Sequence, residues 1–283
     1  MRLSIDHQTG FRYATRVKSS YNEARMTPAE TDHQTVWSSR VTIEPAAWSF
    51  NYTDYWGTLA TTFEVHEPHH RLTVHAQSVV ETHGDDLAWD TERRVAPNDL
   101  GWPALQDRAV VDKMAEFLTL NERTLPPEEL TRLAAARIEQ PPRLAALDVC
   151  ALIHDRLSYE RGSTKVTSTA SEVWELGRGV CQDYSHLALG ALRSMGLPAR
   201  YVSGYLHPGG GEPNTTVEGE SHSWVEWWCG SWVAYDPTLC RRITDGYVRV
   251  GHGRDYGDVA PLRGTYSGGR SEMFVTVEVT ELG

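Results

Sequence analysis

A cysteine at 181, a histidine at 222 and an aspartate at 236 are the side chains whose types and surroundings suit attack on an acyl carbon. Such a set needs a sulfur as nucleophile, an imidazole to move a proton, and a carboxylate to fix the imidazole's tautomer. Cys181 lies in GRGVCQDYSHLALGALRSMGLP, residues 177–198. Leu187, Ala188, Ala191, Leu192 and Met195 recur at helical spacing after it, and Gly196 and Pro198 stop the pattern. The sulfur is therefore expected in the first turn of a buried helix. Free backbone N–H groups there favour a thiolate and an adjacent oxyanion. The bland alternative is a cysteine that merely packs.

The partners come from a predicted hairpin. In GESHSWVEWWCGSWVAYDPT, His222, Trp224 and Glu226 share one face of a strand. Cys229-Gly230 forms the turn, and Trp232, Ala234 and Asp236 alternate on the return. His222 and Asp236 then lie across from one another to within a residue or two of register, close enough for carboxylate to meet imidazole. If Cys181 packs against this sheet edge, His222 can take its proton. The alternative is a surface histidine beside an aspartate. Trp224, Trp227, Trp228 and Trp232 give the hairpin a large apolar area, which either screens the site from water or simply packs.

The preceding elements must position these pieces. The first hundred residues alternate without helical periodicity: Leu3, Ile5 and His7; Val36 to Ile43; Tyr55 to Val65; Leu72 to Val80. They predict an antiparallel β unit over residues 1–95, in sandwich form, with His66-Glu67-Pro68-His69-His70 as a turn. His66, His69, His70 and His75 are read as loop histidines rather than a metal site. Thr82 to Gly101 reads as a linker before a core spanning 96–283. Helices are expected at Ala109 to Leu118, after Pro126-Pro127, and after Pro141-Pro142, where Leu144, Leu147, Ala151 and Leu152 form the apolar pattern around Cys150. Thr169 and Glu172 have capping-box spacing for a short helix carrying Trp174, either over the site or in the core. Ala199 to Leu206 reads as a strand, His207 to Gly219 as a mobile Gly- and Pro-rich loop, and Met273 to Val279 as a closing strand inside the core sheet.

Composition narrows the function class. The chain has 283 residues, 40% of them hydrophobic, and a formal net charge of −11. That acidity argues against a nucleic-acid partner. No long apolar run predicts a membrane span, and the first residues carry no apolar leader pattern. Cys150, Cys181, Cys229 and Cys240 form no CxxC pair and suit reduced cytoplasmic thiols, with a Cys229–Cys240 bridge as the alternative. No metal or cofactor is expected.

With these residues in hand, the chain resembles the bacterial transglutaminase-like superfamily, within the papain-like cysteine enzymes, in its members with a β-rich N-terminal region. GRGVCQDYSHLALGALRSMGLPARYVSGYL is similar to the family's cysteine block, ESHSWVEWW to its histidine block and WVAYDPT to its aspartate block; VGHGRDYGDVAPLRGTYSGG resembles its closing stretch. The chain departs after Asp236-Pro237-Thr238, where relatives often carry Asn-Gly and this one has Leu239-Cys240-Arg241. The resemblance implies an α+β fold, helices packed on an antiparallel sheet. It implies Cys181 as nucleophile, His222 as base and Asp236 as orienting acid, acting through a thioester on a peptide or protein amide, by hydrolysis or acyl transfer. Gln182 and Trp174 are candidates beside the oxyanion, and Tyr205, Trp224 and Tyr256 candidates for the cleft. His186, a turn and a half beyond the cysteine, is not expected to be the base. The competing reading is a non-catalytic binding or scaffold protein that keeps the fold.

Overall fold

The structure is a computed structural model describing residues 1–83, 96–208, 216–219 and 221–282. Most of the expected linker, and Gly209-Gly210-Gly211 of the expected loop, lie outside the described residues.

Six strands open the chain: β1 (Arg2–Val17), β2 (Ser20–Ala24), β3 (Gln34–Glu44), β4 (Trp48–Thr53), β5 (Leu59–Val65) and β6 (His69–Thr82). Helices α1 (Trp102–Leu105), α2 (Arg108–Met114), α3 (Glu128–Ala135) and α4 (Pro142–Arg156) follow, then β7 (Ser158–Tyr159), α5 (Ala170–Leu176), β8 (Arg178–Gly179) and α6 (Cys181–Ser194). The remainder is β9 (Ala199–Leu206), β10 (Thr216–Gly219), β11 (His222–Trp228), β12 (Trp232–Asp236), β13 (Arg241–Arg242), β14 (Tyr247–Gly253), α7 (Tyr256–Val259), β15 (Leu262–Tyr266) and β16 (Ser271–Glu281).

The N-terminal strands build two facing sheets, ordered β10-β16-β1-β6-β3 and β15-β2-β5-β4. Tyr13, Leu72 and Val74 of the first pack on Phe63, Val65 and Leu262 of the second, so the β unit is a sandwich. Alternation explains the strands: Leu3, Ile5, His7 and Thr9 of β1 are buried, while Ser4, Asp6 and Gln8 are half-buried. His69 and His70, expected in a turn, already belong to β6. The closing strand is also placed differently from the expectation. Instead of joining the core sheet, β16 pairs antiparallel with β1, from Leu3 opposite Glu281 to Tyr13 opposite Ser271. β15 likewise pairs with β2.

The other large sheet, β13-β12-β11-β9-β14, carries α6 on one face and meets the sandwich at its β9–β14 side. Val225, Trp227 and Tyr201 meet Tyr184, Leu187, Ala188 and Ala191 of α6. Four residues along the same face of β9 from Tyr201, Tyr205, with Val248 and Val250 of β14, meets Leu3, Ile5, Val80, Val277 and Val279. The spacing predicts one apolar face for α6; the structure buries it on all sides from Gln182 to Arg193, because α3, α4 and α5 enclose the sides the sheet leaves open. Gly190 permits this enclosure, since a Cβ there would overlap the Thr124 carbonyl. In α4 the buried stripe is Ala145, Ala146, Val149, Cys150 and Ile153, one residue round from the leucines expected to lead it.

Candidate active site

Cys181 is the first residue of α6, and Val180 precedes it in extended conformation. The turn's own backbone bonds begin with the N–H groups of Asp183 and Tyr184, both on the Val180 carbonyl. The N–H groups of Cys181 and Gln182 therefore lie outside the helical ladder, directed at the helix entrance where a negative charge is favoured. Asp183 anchors this entrance. Its Oδ2 accepts from the Val180 N–H at 2.8 Å and from the Thr164 hydroxyl at 2.6 Å. Gly179 is required beside it, since a Cβ there would run into the Asp183 side chain. Burial raises the Asp183 carboxyl above its ordinary range, against the pull of those two bonds.

His222 opens β11. Ladder pairing sets Val225 opposite Tyr235, which places Asp236 diagonally across from His222 on the same face. His222 Nε2 and Asp236 Oδ2 are 2.7 Å apart. Nδ1 is the nitrogen left free of the carboxylate, and Cys181 is close enough for its charge to act on the ring, while its Sγ lies 3.9 Å from the Ser221 carbonyl. Burial alone would lower the imidazole's pKa; the bond to Asp236 and the charges of Cys181 and Asp236 outweigh it and raise it to about 10. Asp236 is fully buried. Burial would raise its carboxyl, but His222, the Tyr247 hydroxyl and the Leu239 N–H hold it below the usual range. Its Oδ1 accepts from the N–H groups of Thr238 at 2.8 Å and Leu239 at 3.1 Å. The arrangement can hold an imidazolium between a sulfur and a fixed carboxylate, and can pass its proton to a group at the sulfur.

Residues 3–81 match the family described as bacterial transglutaminase-like N-terminal region, and residues 132–237 match the transglutaminase-like superfamily. An uncharacterized protein of Mycobacterium leprae is 44% identical over 99% of both chains. The chain belongs to the transglutaminase-like superfamily. An uncharacterized Mycobacterium tuberculosis protein is 33% identical, over 93% of this chain and 87% of its own. A protein-glutamine gamma-glutamyltransferase of Pseudomonas aeruginosa is 26% identical over 52% of this chain and 24% of its own. The crystal structure of a candidate cysteine protease from Cytophaga hutchinsonii superposes with a TM-score of 0.75, at 20% identity, over 100% of this chain and 91% of its own, and so shares the fold. Within the superfamily fold, Cys181, His222 and Asp236 come from the three matched blocks and meet at one end of α6.

The remaining predicted residues divide. Gln182 lies beside the sulfur, its side-chain amide donating to the Val166 carbonyl at 3.4 Å. Tyr256 is close enough that the Cys181 charge adds to burial in raising its hydroxyl, with Arg123 opposing. Its backbone N–H donates to His186 Nε2 at 3.2 Å, so His186 is an acceptor in the wall, where burial keeps it neutral. Trp174 is not an oxyanion partner: its indole N–H donates to Glu129 at 2.8 Å and its ring lies in the helical core under Arg156. Tyr205 is not in the cleft: it faces the sandwich, with His7 Nδ1 at 2.9 Å and the Met26 carbonyl at 3.3 Å. Trp224 is buried edge-on against Tyr247, and the two rings wall a cavity of about 620 Å³ between this sheet and the sandwich, along with Gln34, Glu226 and Arg249. That cavity does not include Cys181 or His222 in its lining, so it lies behind the site and not over the sulfur.

The cysteines are all free thiols. Cys229 contacts Asp99 at 3.4 Å and Cys240 contacts the Tyr235 hydroxyl at 3.4 Å, so no bridge joins them. The sandwich histidines turn to separate partners: His66 to Glu64, His69 to the Glu67 carbonyl, and His75 to Asp6. Among the described residues, no three His, Cys, Asp or Glu side chains gather as a metal set. No helix of the described residues is long and apolar enough to cross a membrane.

Sequence reasoning missed Tyr201 and Tyr247. Tyr201, buried under the sulfur's helix, is close enough to Cys181 that the sulfur's charge adds to burial in raising its hydroxyl, and Ser223 on the neighbouring strand has its Oγ 3.1 Å from Ser185 Oγ. Strand alternation placed Tyr201 on a face, but not against which neighbour. Tyr247 reaches Asp236 from β14, with β9 and β11 between its strand and β12, and no short-range signal carries such a contact.

Proposed function

We propose that this protein is a cysteine-nucleophile enzyme that hydrolyses or transfers the acyl group of a peptide or protein amide. The observation that carries the reading is the His222 ring, bonded to the buried Asp236 carboxylate and set beside the sulfur at a helix entrance, whose charge acts on it. The sulfur forms a bond to the amide carbonyl carbon, and the carbonyl oxygen takes up negative charge facing the Cys181 and Gln182 N–H groups. The carbon–nitrogen bond breaks as imidazolium gives its proton to the leaving amine. Neutral His222 then takes a proton from water or from an acceptor amine, whose attack breaks the carbon–sulfur bond and frees the thiol. A carboxylate locked by two backbone N–H groups holds the imidazole through both halves. The enzyme names borne by the Pseudomonas relative and the Cytophaga structure support this class of chemistry. Four free thiols suit a reducing compartment, and we place the protein in the cytoplasm.

The test is an incubation of the intact protein with glutamine-containing peptides and a fluorescent primary amine, followed by mass spectrometry of protein and peptides. Peptide cleavage, ammonia release or amine incorporation that vanishes in Cys181→Ala is the expected result. A sulfur that iodoacetamide does not reach, with none of the three products, would instead favour the scaffold reading.

A further inference from the structure

Asp236 Oδ2 accepts two hydrogen bonds. One comes from His222 Nε2 and the other from the Tyr247 hydroxyl, each at 2.7 Å. With Oδ1 taking two backbone N–H groups, all four acceptor positions of the carboxylate are filled. The Tyr247 hydroxyl is itself an acceptor, for Arg241 Nε at 3.0 Å, and the guanidinium lies over the tyrosine ring. Tyr247 is buried, with its ring 5.9 Å from the His222 ring and edge-on to Trp224 at 5.4 Å. The hydrogen-bonded chain Arg241, Tyr247, Asp236, His222 thus runs without a break from β13 through β14 and β12 to β11, ending beside Cys181 of α6.

We infer that Tyr247 is a positioning residue: by sharing Asp236 Oδ2 with His222 it sets how strongly the carboxylate holds the imidazole. The reading rests on the proposed Cys181–His222–Asp236 chemistry and adds a fourth group to it. Two donors on one oxygen compete for its electron density, so each weakens the other's bond. Arg241 sharpens the competition by polarising the hydroxyl it donates to, which makes that O–H a stronger donor to Asp236. Without the hydroxyl, Oδ2 serves His222 alone. The imidazolium is then held harder and gives its proton to a leaving amine less readily. The groups that face His222 are Cys181 from α6, Asp236 from β12 and Tyr247 from β14, with Arg241 of β13 behind the last.

Tyr247→Phe keeps the ring and removes the hydroxyl. Nitrogen-15 labelled histidine in the intact protein, with the His222 signal assigned from a His222→Gln spectrum, reports the imidazole titration directly. In Tyr247→Phe it should move up by about half a pH unit, the share of one hydrogen bond of about 1 kcal/mol. Arg241→Gln should move it in the same direction by less, and should add little in the Tyr247→Phe background, because its route through the hydroxyl is gone. An unmoved or lowered titration in Tyr247→Phe overturns the inference, even where the variant melts earlier, because lost packing alone does not act on the imidazole. Failure of the parent reading looks different: the wild-type His222 signal would titrate as an ordinary histidine and ignore Cys181→Ala.

Discussion

His7 is a fully buried imidazole and His222 a largely buried one, and the molecule holds them in opposite states. His7, on β1 at the seam between sandwich and sheet, has the Tyr205 hydroxyl at 2.9 Å as its partner. Burial there outweighs the Asp6 charge and lowers its pKa to about 4. His222, at the entrance of α6, is held by the Asp236 carboxylate, with the Cys181 charge acting beside it, and is raised to about 10. A hydroxyl satisfies a ring nitrogen without offering charge, so desolvation decides and the ring stays neutral. A buried carboxylate reverses the balance. Burial by itself therefore says nothing about chemistry; the partner's charge does.

The largest effect expected is at the sulfur. Cys181→Ala should leave the circular dichroism spectrum unchanged and abolish amide turnover; full turnover in that variant would break the comparison by removing His222 from any reaction. Next is Asp236→Asn, which puts a neutral partner beside His222 and makes it resemble His7. The His222 signal should fall from about 10 to well below that value, and turnover should drop by about 10³- to 10⁴-fold. A histidine that stayed high in this variant would show that the carboxylate is not the cause.

The two histidines also predict stability in opposite pH windows. For His7 the unfolded chain binds a proton near pH 6.5 and the folded chain not until about 4, so stability falls as the pH is lowered through that interval. For His222 the folded chain keeps its proton up to about pH 10, so its contribution is complete below 6.5 and is lost as the pH rises through 10. Melting temperatures across pH should show a shallower acid limb in His7→Gln and a shallower alkaline limb in His222→Gln. Unchanged limbs would refute the respective assignment. The smallest effect is Tyr205→Phe, which leaves His7 Nδ1 without its partner. A loss of about 1 kcal/mol in denaturant unfolding is expected, with iodoacetamide labelling of Cys181 unchanged. Altered labelling would return Tyr205 to the cleft.

What could be read from the sequence follows the range of each contact. The helix entrance at Cys181 and the pairing of His222 with Asp236 rest on helical and strand periods within 60 residues, and the structure brings the three together. The thiol–imidazole contact itself crosses elements, and only the resemblance of the three blocks pointed to it. Alternation put Tyr205 on the same face of β9 as Tyr201, but the period of two does not say where along that face α6 gives way to the sandwich. The same blindness misplaced β16, whose partner β1 lies at the far end of the chain. Trp174 had two readings, and the acceptor for its indole N–H, Glu129 of α3, decides for the core. α6 carries Asp183, Ser185, His186 and Arg193 inside, polar residues that suggest an exposed side until their partners in other elements are known.

The pairing of β1 with β16 imposes an order on assembly. During synthesis β1 emerges long before β16 and must wait, with β6 on one side and its other partner still missing, until β16 has been delivered. β9, β11, β12 and β14, which follow α6 within 60 residues, have all their mutual neighbours at hand sooner. The half that bears the sulfur can therefore gather before the half that precedes it in the chain is closed. Until then, an unzipped strand edge along β1 is the nascent protein's most exposed point for mispairing with another chain.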